Sequence, residues 1–106
     1  MGNAGSDYAL FRRALLMRSM TQIDAAARAL PRIGLEDALR ILVVMAEKQD
    51  ARYERAAVRW AARASAELGL GVDESRRVLA LVEVLPEAPE AFAVRLRAVL
   101  SRGRAG

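Results

Sequence analysis

Four arginines recur at helical spacing in one segment and are the residues best placed to bind an anion. Residues 50–69 read DARYERAAVRWAARASAELG and contain Arg52, Arg55, Arg59 and Arg63 at spacings of three, four and four. On a helix turning about 100° per residue, these side chains fall within roughly 80° of one another. Glu54 and Glu67 lie outside this stripe, so we expect its charge not to be cancelled locally. Guanidinium groups in a row can bind phosphates, but a stripe of this kind is also the ordinary solvated side of a helix, which is the interpretation that we favour.

The composition offers few groups for catalysis. The 106-residue chain contains no Cys and no His, which excludes disulfides and removes the side chain most often used for proton transfer near neutral pH. Lys48 is the only lysine among 17 basic residues. The acidic pairs Glu36–Asp37 and Asp73–Glu74 are better explained as helix-start residues than as a metal site. We therefore expect no enzyme activity, no cofactor and no bound metal.

The charge balance keeps a second function open. The net charge is +4, and four more arginines follow Glu90, the last acidic residue: Arg95, Arg97, Arg102 and Arg104. A basic stripe with a basic tail is typical of nucleic-acid-associated proteins. No base-stacking aromatic residue lies among these arginines, so we expect such binding to be weak and non-specific. The many arginines and the 22 alanines are also typical of GC-rich bacterial genomes.

The sequence shows no membrane or export signal. No apolar run approaches the 18 residues of a membrane-spanning helix, and no signal peptide is visible. The opening MGNAGS fits a myristoylation pattern, which in a chain of bacterial composition we interpret as coincidence or a cloning remnant. We expect a cytoplasmic bacterial protein with no membrane contact.

Two aromatic residues share the Arg-rich helix. Tyr53 and Trp60 belong to an apolar stripe that is centred about 130° from the arginines. Such a pair usually anchors a core, but Trp and Tyr are also enriched in interface hot spots. The candidate interaction surface therefore comprises Arg52, Arg55, Arg59, Arg63, Tyr53 and Trp60, with core or interface left open for the two aromatic residues.

Capping signals divide the chain into about six short helices and no strand. We predict a flexible arm over residues 1–6, a single helical domain over residues 7–101 and a basic tail over residues 102–106. The expected N-caps are Ser6 or Asp7, Thr21, Asp50 and Asp73, and the expected helix ends are Pro31, Gly69 and Pro86.

The helix predicted over residues 35–48 is apolar on almost its whole circumference, which indicates burial at the centre of the fold. GLEDALRILVVM from Gly34 also aligns with GVDESRRVLALV from Gly71, 37 residues later. Two amphipathic helices of similar composition would also align in this way without any internal repeat. We nevertheless predict an all-α, compact bundle of stacked αα-hairpins that is similar to helical-repeat proteins.

One helix boundary remains ambiguous. No Gly or Pro interrupts residues 35–68, so this region could form one long helix. Asp50 would then lie in an apolar seam without compensation. We therefore predict a break within residues 48–51, with Asp50 accepting a backbone amide bond.

Residues 30–63, LPRIGLEDALRILVVMAEKQDARYERAAVRWAAR, resemble a widespread group of small uncharacterised all-helical proteins from GC-rich actinobacteria. The RYERAA-x-RW segment carries the resemblance, although this sequence has Ala51 where a proline is common in the group. The resemblance implies an all-helical fold and no known activity.

Two functions fit these observations. We favour a non-enzymatic protein–protein interaction or self-association module, which binds a protein partner or forms a homodimer. The alternative is a nucleic-acid-associated protein that uses the Arg stripe and the C-terminal tail. Exposure of Trp60 would favour the first function, and a contiguous Arg surface would favour the second.

Overall fold

The computed structural model describes the backbone of residues 4–105 and the side chains of residues 5–103. Over this range the chain folds into six α-helices and one short 3-10 segment with no strand, which confirms the all-α prediction. Within the same range, no helix is both long enough and apolar enough to span a bilayer. The helices are α1 (Ala4–Met17), α2 (Met20–Arg28), α3 (Leu35–Glu47), α4 (Tyr53–Leu68), α5 (Val72–Val84) and α6 (Pro89–Ala105), and the 3-10 segment is Leu85–Glu87.

A tight turn joins α1 to α2. Arg18 adopts the left-handed conformation with φ of 53°, which reverses the chain. The hydroxyl oxygen of Ser19 then accepts a hydrogen bond from the Gln22 amide at 3.3 Å. Ser19 is therefore the N-cap of α2, and the prediction of Thr21 is wrong, because Thr21 already lies in the first helical turn.

The predicted break between α3 and α4 is confirmed. Gln49 is left-handed with φ of 53°, and its amide donates to the Ala46 carbonyl at 3.1 Å. The Asp50 amide donates to the Met45 carbonyl at 2.9 Å, which completes the usual two-bond end of a helix. The Asp50 carboxylate accepts the Arg52 amide at 2.9 Å, as predicted, but the N-cap of α4 is Arg52, so the prediction of Asp50 as the N-cap is wrong.

The connection between α4 and α5 uses two glycines. Gly69 has φ of 64° and ends α4, as predicted. Gly71 is extended and directly precedes α5, so the prediction that Asp73 caps this helix is wrong. Asp73 instead lies in the first turn, where the helix dipole favours its charge.

Both end helices are longer than predicted. Helix α1 begins at Ala4, so Ser6 and Asp7 lie inside it rather than capping it, and residues 4–6 of the predicted arm are helical. Residues 1–3 lie outside the described range. Helix α6 continues to Ala105, so residues 102–105 of the predicted tail are also helical. A Cβ at Gly103 would lie 2.9 Å from Leu68 Cδ2, so the missing side chain lets α6 approach the end of α4.

Two apolar clusters form the core, and α3 contributes to both. Leu39 and Leu42 of α3 join the main cluster with buried residues of α4, α5 and α6. Val44 joins a smaller cluster formed otherwise by α1 and α2: Phe11, Ala14, Leu15 and Ile23. Arg40 and Ile41 are half-buried, and the rest of α3 from Leu39 to Ala46 is buried. The prediction of a central, buried helix is confirmed.

The helices pair unequally. Helices α4 and α5 pack along each other as an antiparallel hairpin, and α1 and α2 form a second hairpin. Helix α3 packs mainly against α4 and α6, and only slightly against α2. The two similar segments, α3 and α5, therefore do not occupy equivalent places in two copies of one hairpin.

Candidate interaction surface

The two aromatic residues of the predicted surface lie in the core. Tyr53 is 7% exposed and Trp60 is 4% exposed. The Tyr53 hydroxyl donates to the Val82 carbonyl oxygen at 2.7 Å, and Trp60 Nε1 donates to the Leu35 carbonyl oxygen at 2.9 Å. Burial raises the pKa of Tyr53 to about 12. These residues connect α4 to α5 and α3, so they are core residues and not part of the candidate surface. The exposure of Trp60 that would have favoured an interaction module is not found.

Arg52 is neutralised at the start of α4. Its Nη2 atom lies 2.8 Å from Asp50 Oδ2 and 3.1 Å from Asp24 Oδ2. Hydrogen bonds from the side chain and the backbone of Arg52 lower the pKa of Asp50 to about 2. The same carboxylates raise the pKa of Arg52. This arginine fixes the turn between α3 and α4 and connects it to α2.

Arg63 is also committed to other groups. Its Nε atom donates to Glu67 Oε2, one helical turn later. Its Nη2 atom donates to the Ile33 carbonyl oxygen at 2.6 Å, just before α3. The expectation that the charge of the stripe is not cancelled locally is therefore wrong for Arg52 and Arg63. The long side chains reach carboxylates that lie outside the stripe on the helical wheel.

Arg55 and Arg59 are the two arginines of the stripe that remain free. Both are exposed, and neither forms an ion pair with any residue in the described range. They lie one helical turn apart on α4, so their charges act on the same patch of solvent. The free charge of the stripe is half of what its sequence suggests.

A groove between α4 and α5 adjoins these two arginines. We call it the α4/α5 groove; its volume is about 840 Å³. Val58, which is 55% exposed, lies in its wall beside Arg55 and Arg59. Binding clefts usually have volumes of roughly 300–1,000 Å³, so this groove can receive side chains of a partner. It is lined by Tyr53, Glu54, Arg55, Ala57, Val58, Arg59, Val82, Glu83 and Pro86.

The α4/α5 groove carries charges of both signs. Glu54 and Glu83 are exposed and, like Arg55 and Arg59, form no ion pair within residues 5–103. Glu83 and Pro86 were not predicted to lie on this surface, because only the fold brings the end of α5 beside the start of α4. Val58 was not predicted either, although a large apolar residue beside the Arg stripe is visible in the sequence.

Arg95 and Arg102 do not extend this surface. The Arg95 guanidinium lies over the Phe92 ring, 6.0 Å from its centroid, and Arg102 Nη2 lies 3.6 Å from Glu74 Oε2. With Arg77, these two arginines line a separate cavity between α5 and α6. The side chain of Arg104 lies outside the described range.

The acidic pairs lie in the first turns of α3 and α5. No group of three or more His, Cys, Asp or Glu residues in the described part of the chain could hold a metal ion.

No family model matches the chain, and we found no similar curated protein or solved structure. The resemblance to the actinobacterial group stays a prediction. Function must therefore be inferred from the geometry of the surface.

Proposed function

We propose that the protein is a non-enzymatic interaction module that pairs with a second copy of itself through the α4/α5 groove. One observation carries this proposal: the groove combines an exposed Val58 with two unpaired arginines and two unpaired glutamates. Because this surface carries charges of both signs, its charge pattern is complementary to that of a rotated copy of itself. The lack of His and Cys in the chain supports binding rather than catalysis.

The charges select one orientation of the pair. On the α4 wheel, Glu54 lies roughly 40° to one side of Val58, while Arg55 and Arg59 lie roughly 60° and 100° to the other side. A two-fold axis parallel to α4 places the arginine side of one copy opposite the glutamate side of the other. An axis perpendicular to α4 would bring like charges together. We therefore expect the two α4 helices to run parallel in a symmetric pair.

The apolar part of this surface is small. Ala62 and Ala66 follow Val58 at intervals of four residues and are exposed, so a second helix can approach closely. Burying one valine contributes about 1.5–3 kcal/mol, whereas association costs at least about 4 kcal/mol in lost freedom. Attraction between the four charges must supply part of the free energy that burial of the valine does not provide. We therefore expect a weak dimer that dissociates on dilution and at high salt.

Charge-reversal variants test the pairing. Sedimentation equilibrium over a range of protein concentrations should show a monomer–dimer equilibrium for the native chain. Arg59→Glu and Glu83→Arg should each abolish the dimer, because each places like charges together twice. An equimolar mixture of the two variants should dimerise again, since every contact is then attractive. Arg76→Glu, an exposed residue of α5 outside the groove, is the control.

Two results would contradict the proposal. One is a native chain that stays monomeric at every concentration. The other is a dimer that persists in both single variants, because the interface would then lie elsewhere.

The free arginines also support a second, weaker candidate. Arg55 and Arg59 can neutralise about two phosphates, which gives a log–log salt slope of about −1.8 on duplex DNA, against about −3.6 for the whole stripe. Glu54 and Glu83 in the same groove oppose a polyanion. We expect weak, non-specific binding, and Arg59→Gln should lower the slope by about one unit for any sequence. Sequence-selective binding that survives high salt would replace the self-association proposal.

A further inference from the structure

A second concavity lies where α1, α3 and α6 meet, away from the α4/α5 groove. Its volume is about 190 Å³. Four arginines and one glutamate surround an apolar floor, so cations outnumber anions in its lining. We call it the arginine cavity; it is lined by Arg12, Leu15, Leu16, Arg18, Arg40, Val43, Val44, Glu90 and Arg97.

Carboxylates outside the cavity hold three of these arginines in place. Arg12 Nη1 and Arg40 Nη1 each lie 2.9 Å from Asp37 Oδ1, and Arg40 Nη2 lies 3.4 Å from Glu36 Oε1. Arg18 Nη1 forms an ion pair with Glu47. Asp37 and Glu47 are absent from the cavity lining. A guanidinium has five N–H donors, so these ion pairs position the side chains and leave donors available to a ligand.

Arg97 has no such partner. It is half-buried in α6 and forms no ion pair with any described residue. The one carboxylate of the lining, Glu90, is 59% exposed and lies 3.4 Å from Arg18 Nη2. The cavity thus keeps one guanidinium without a counter-ion beside three others, an arrangement that an anion would stabilise.

We propose that the arginine cavity binds a phosphate group, either as free phosphate or as the phosphomonoester end of a small molecule. A volume of 190 Å³ equals about six waters of 30 Å³ each and lies below the roughly 300 Å³ where drug-sized ligand sites begin. The cavity therefore holds a phosphate and a few further atoms, and the rest of a larger ligand would lie outside it. A phosphate bears nearly two charges at neutral pH and accepts hydrogen bonds in several directions, which suits guanidiniums that come from three separate helices.

Titration followed by NMR tests this proposal. Sodium phosphate is added to the ¹⁵N-labelled native chain, with sodium chloride adjusted to hold the ionic strength constant. Saturable shifts are expected at the side-chain Nε–H groups of the cavity arginines and at the amides around them. Sodium acetate under the same conditions should produce no saturable shift, because a single charge and a planar group engage fewer of the guanidiniums.

Variants on α6 provide matched comparisons. Arg97→Gln should weaken phosphate binding about tenfold or more, as expected for a charged hydrogen bond. Arg95→Gln removes the same charge two residues earlier, at an exposed position outside the cavity, and should leave the affinity unchanged. Glu90→Gln should strengthen binding several-fold, because the carboxylate competes for Arg18.

A second ligand identifies the source of the phosphate. Phenyl phosphate that binds more tightly than inorganic phosphate indicates an organic phosphomonoester whose apolar part contacts the floor, and equal binding indicates free phosphate. The proposal is overturned if neither ligand gives saturable shifts, if acetate binds equally well, or if Arg95→Gln weakens binding as much as Arg97→Gln.

Discussion

The Tyr53 hydroxyl lies 2.7 Å from the carbonyl oxygen of Val82. In a continuous α-helix, that carbonyl would accept a hydrogen bond from the amide of residue 86, but this residue is Pro86 and has no amide hydrogen. The first residue of α4 thus provides a donor to the last turn of α5. This bond joins the two walls of the α4/α5 groove at their base.

Tyr53→Phe should destabilise the fold by about 1–3 kcal/mol, because it removes the hydroxyl donor from a buried carbonyl oxygen and leaves the ring in place. Urea unfolding followed by circular dichroism measures the change. Tyr8→Phe is the matched control: the Tyr8 hydroxyl donates to Asp37 at 2.7 Å but is exposed, so its loss should cost less. Equal losses in the two variants would argue against a special role for the Val82 bond.

Alkaline pH should destabilise the protein through the same tyrosine. Burial raises the pKa of Tyr53 from its ordinary 10.0 to about 12, so the native state holds this proton more tightly than the unfolded state does. The stabilisation is complete below pH 10 and is lost as the pH rises toward 12. In the Tyr8→Phe variant, ultraviolet absorbance of the remaining tyrosinate should titrate near pH 12. A midpoint near pH 10 would show that the ring is not buried in solution.

Introducing a glycine at one helix end and removing a glycine from another should change the stability of the protein in opposite directions. Gln49 and Gly69 both end helices with positive φ, 53° and 64°, but only glycine adopts this conformation without strain. Gln49→Gly should stabilise the protein by up to about 1 kcal/mol, since the Gln49 side chain is exposed. Gly69→Ala should cost about 1 kcal/mol from strain alone, because nothing lies within 4 Å of its added Cβ. Thermal unfolding of both variants measures the two shifts, and shifts of the same sign would disprove this account.

Asp50→Ala should cost about 1 kcal/mol, because it removes the carboxylate that accepts the Arg52 amide and guanidinium, whereas Asp50→Asn should retain much of this through the amide oxygen. The lowered pKa of Asp50, about 2 against an ordinary 3.8, means that the native state favours the charged form. This stabilisation is present above pH 3.8 and is lost as the pH falls toward 2. Unfolding free energies measured across this acid range should therefore converge for the native chain and Asp50→Asn. A constant difference down to pH 2 would contradict the assignment.

Local patterns predicted the elements of the fold better than the surface. The apolar circumference of α3, the break at Asp50 and the terminator Gly69 follow from neighbouring residues, and the structure confirms all three. Three N-caps lie two residues from their predicted positions, at Ser19, Arg52 and Gly71, because adjacent positions can start a helix at similar cost.

The contacts of the candidate site could not be predicted, because they join residues that are far apart in the sequence. Arg63 reaches the Ile33 carbonyl 30 residues away, and Arg52 reaches Asp24 on another helix. A helical wheel places these arginines on a face but cannot show which carboxylates approach that face. For the same reason, a helical wheel of α4 could not show that Glu83 of α5 lines the α4/α5 groove.

The apolar cluster beneath α1 and α2 is distinct from the main cluster, so we expect this hairpin to open as a unit of its own. The hairpin could detach from α3 by giving up the contacts of Phe11, Leu15, Ile23 and Val44 while the main cluster stays closed. Such partial opening needs less free energy than global unfolding, so the amides of α1 and α2 should exchange with solvent before those of α3. The arginine cavity spans this boundary, from Arg12 on the hairpin to Arg97 on α6. A ligand bound there would hold the hairpin of α1 and α2 against the rest of the fold. Amide exchange in α1 and α2 should therefore become slower as more of the cavity is occupied.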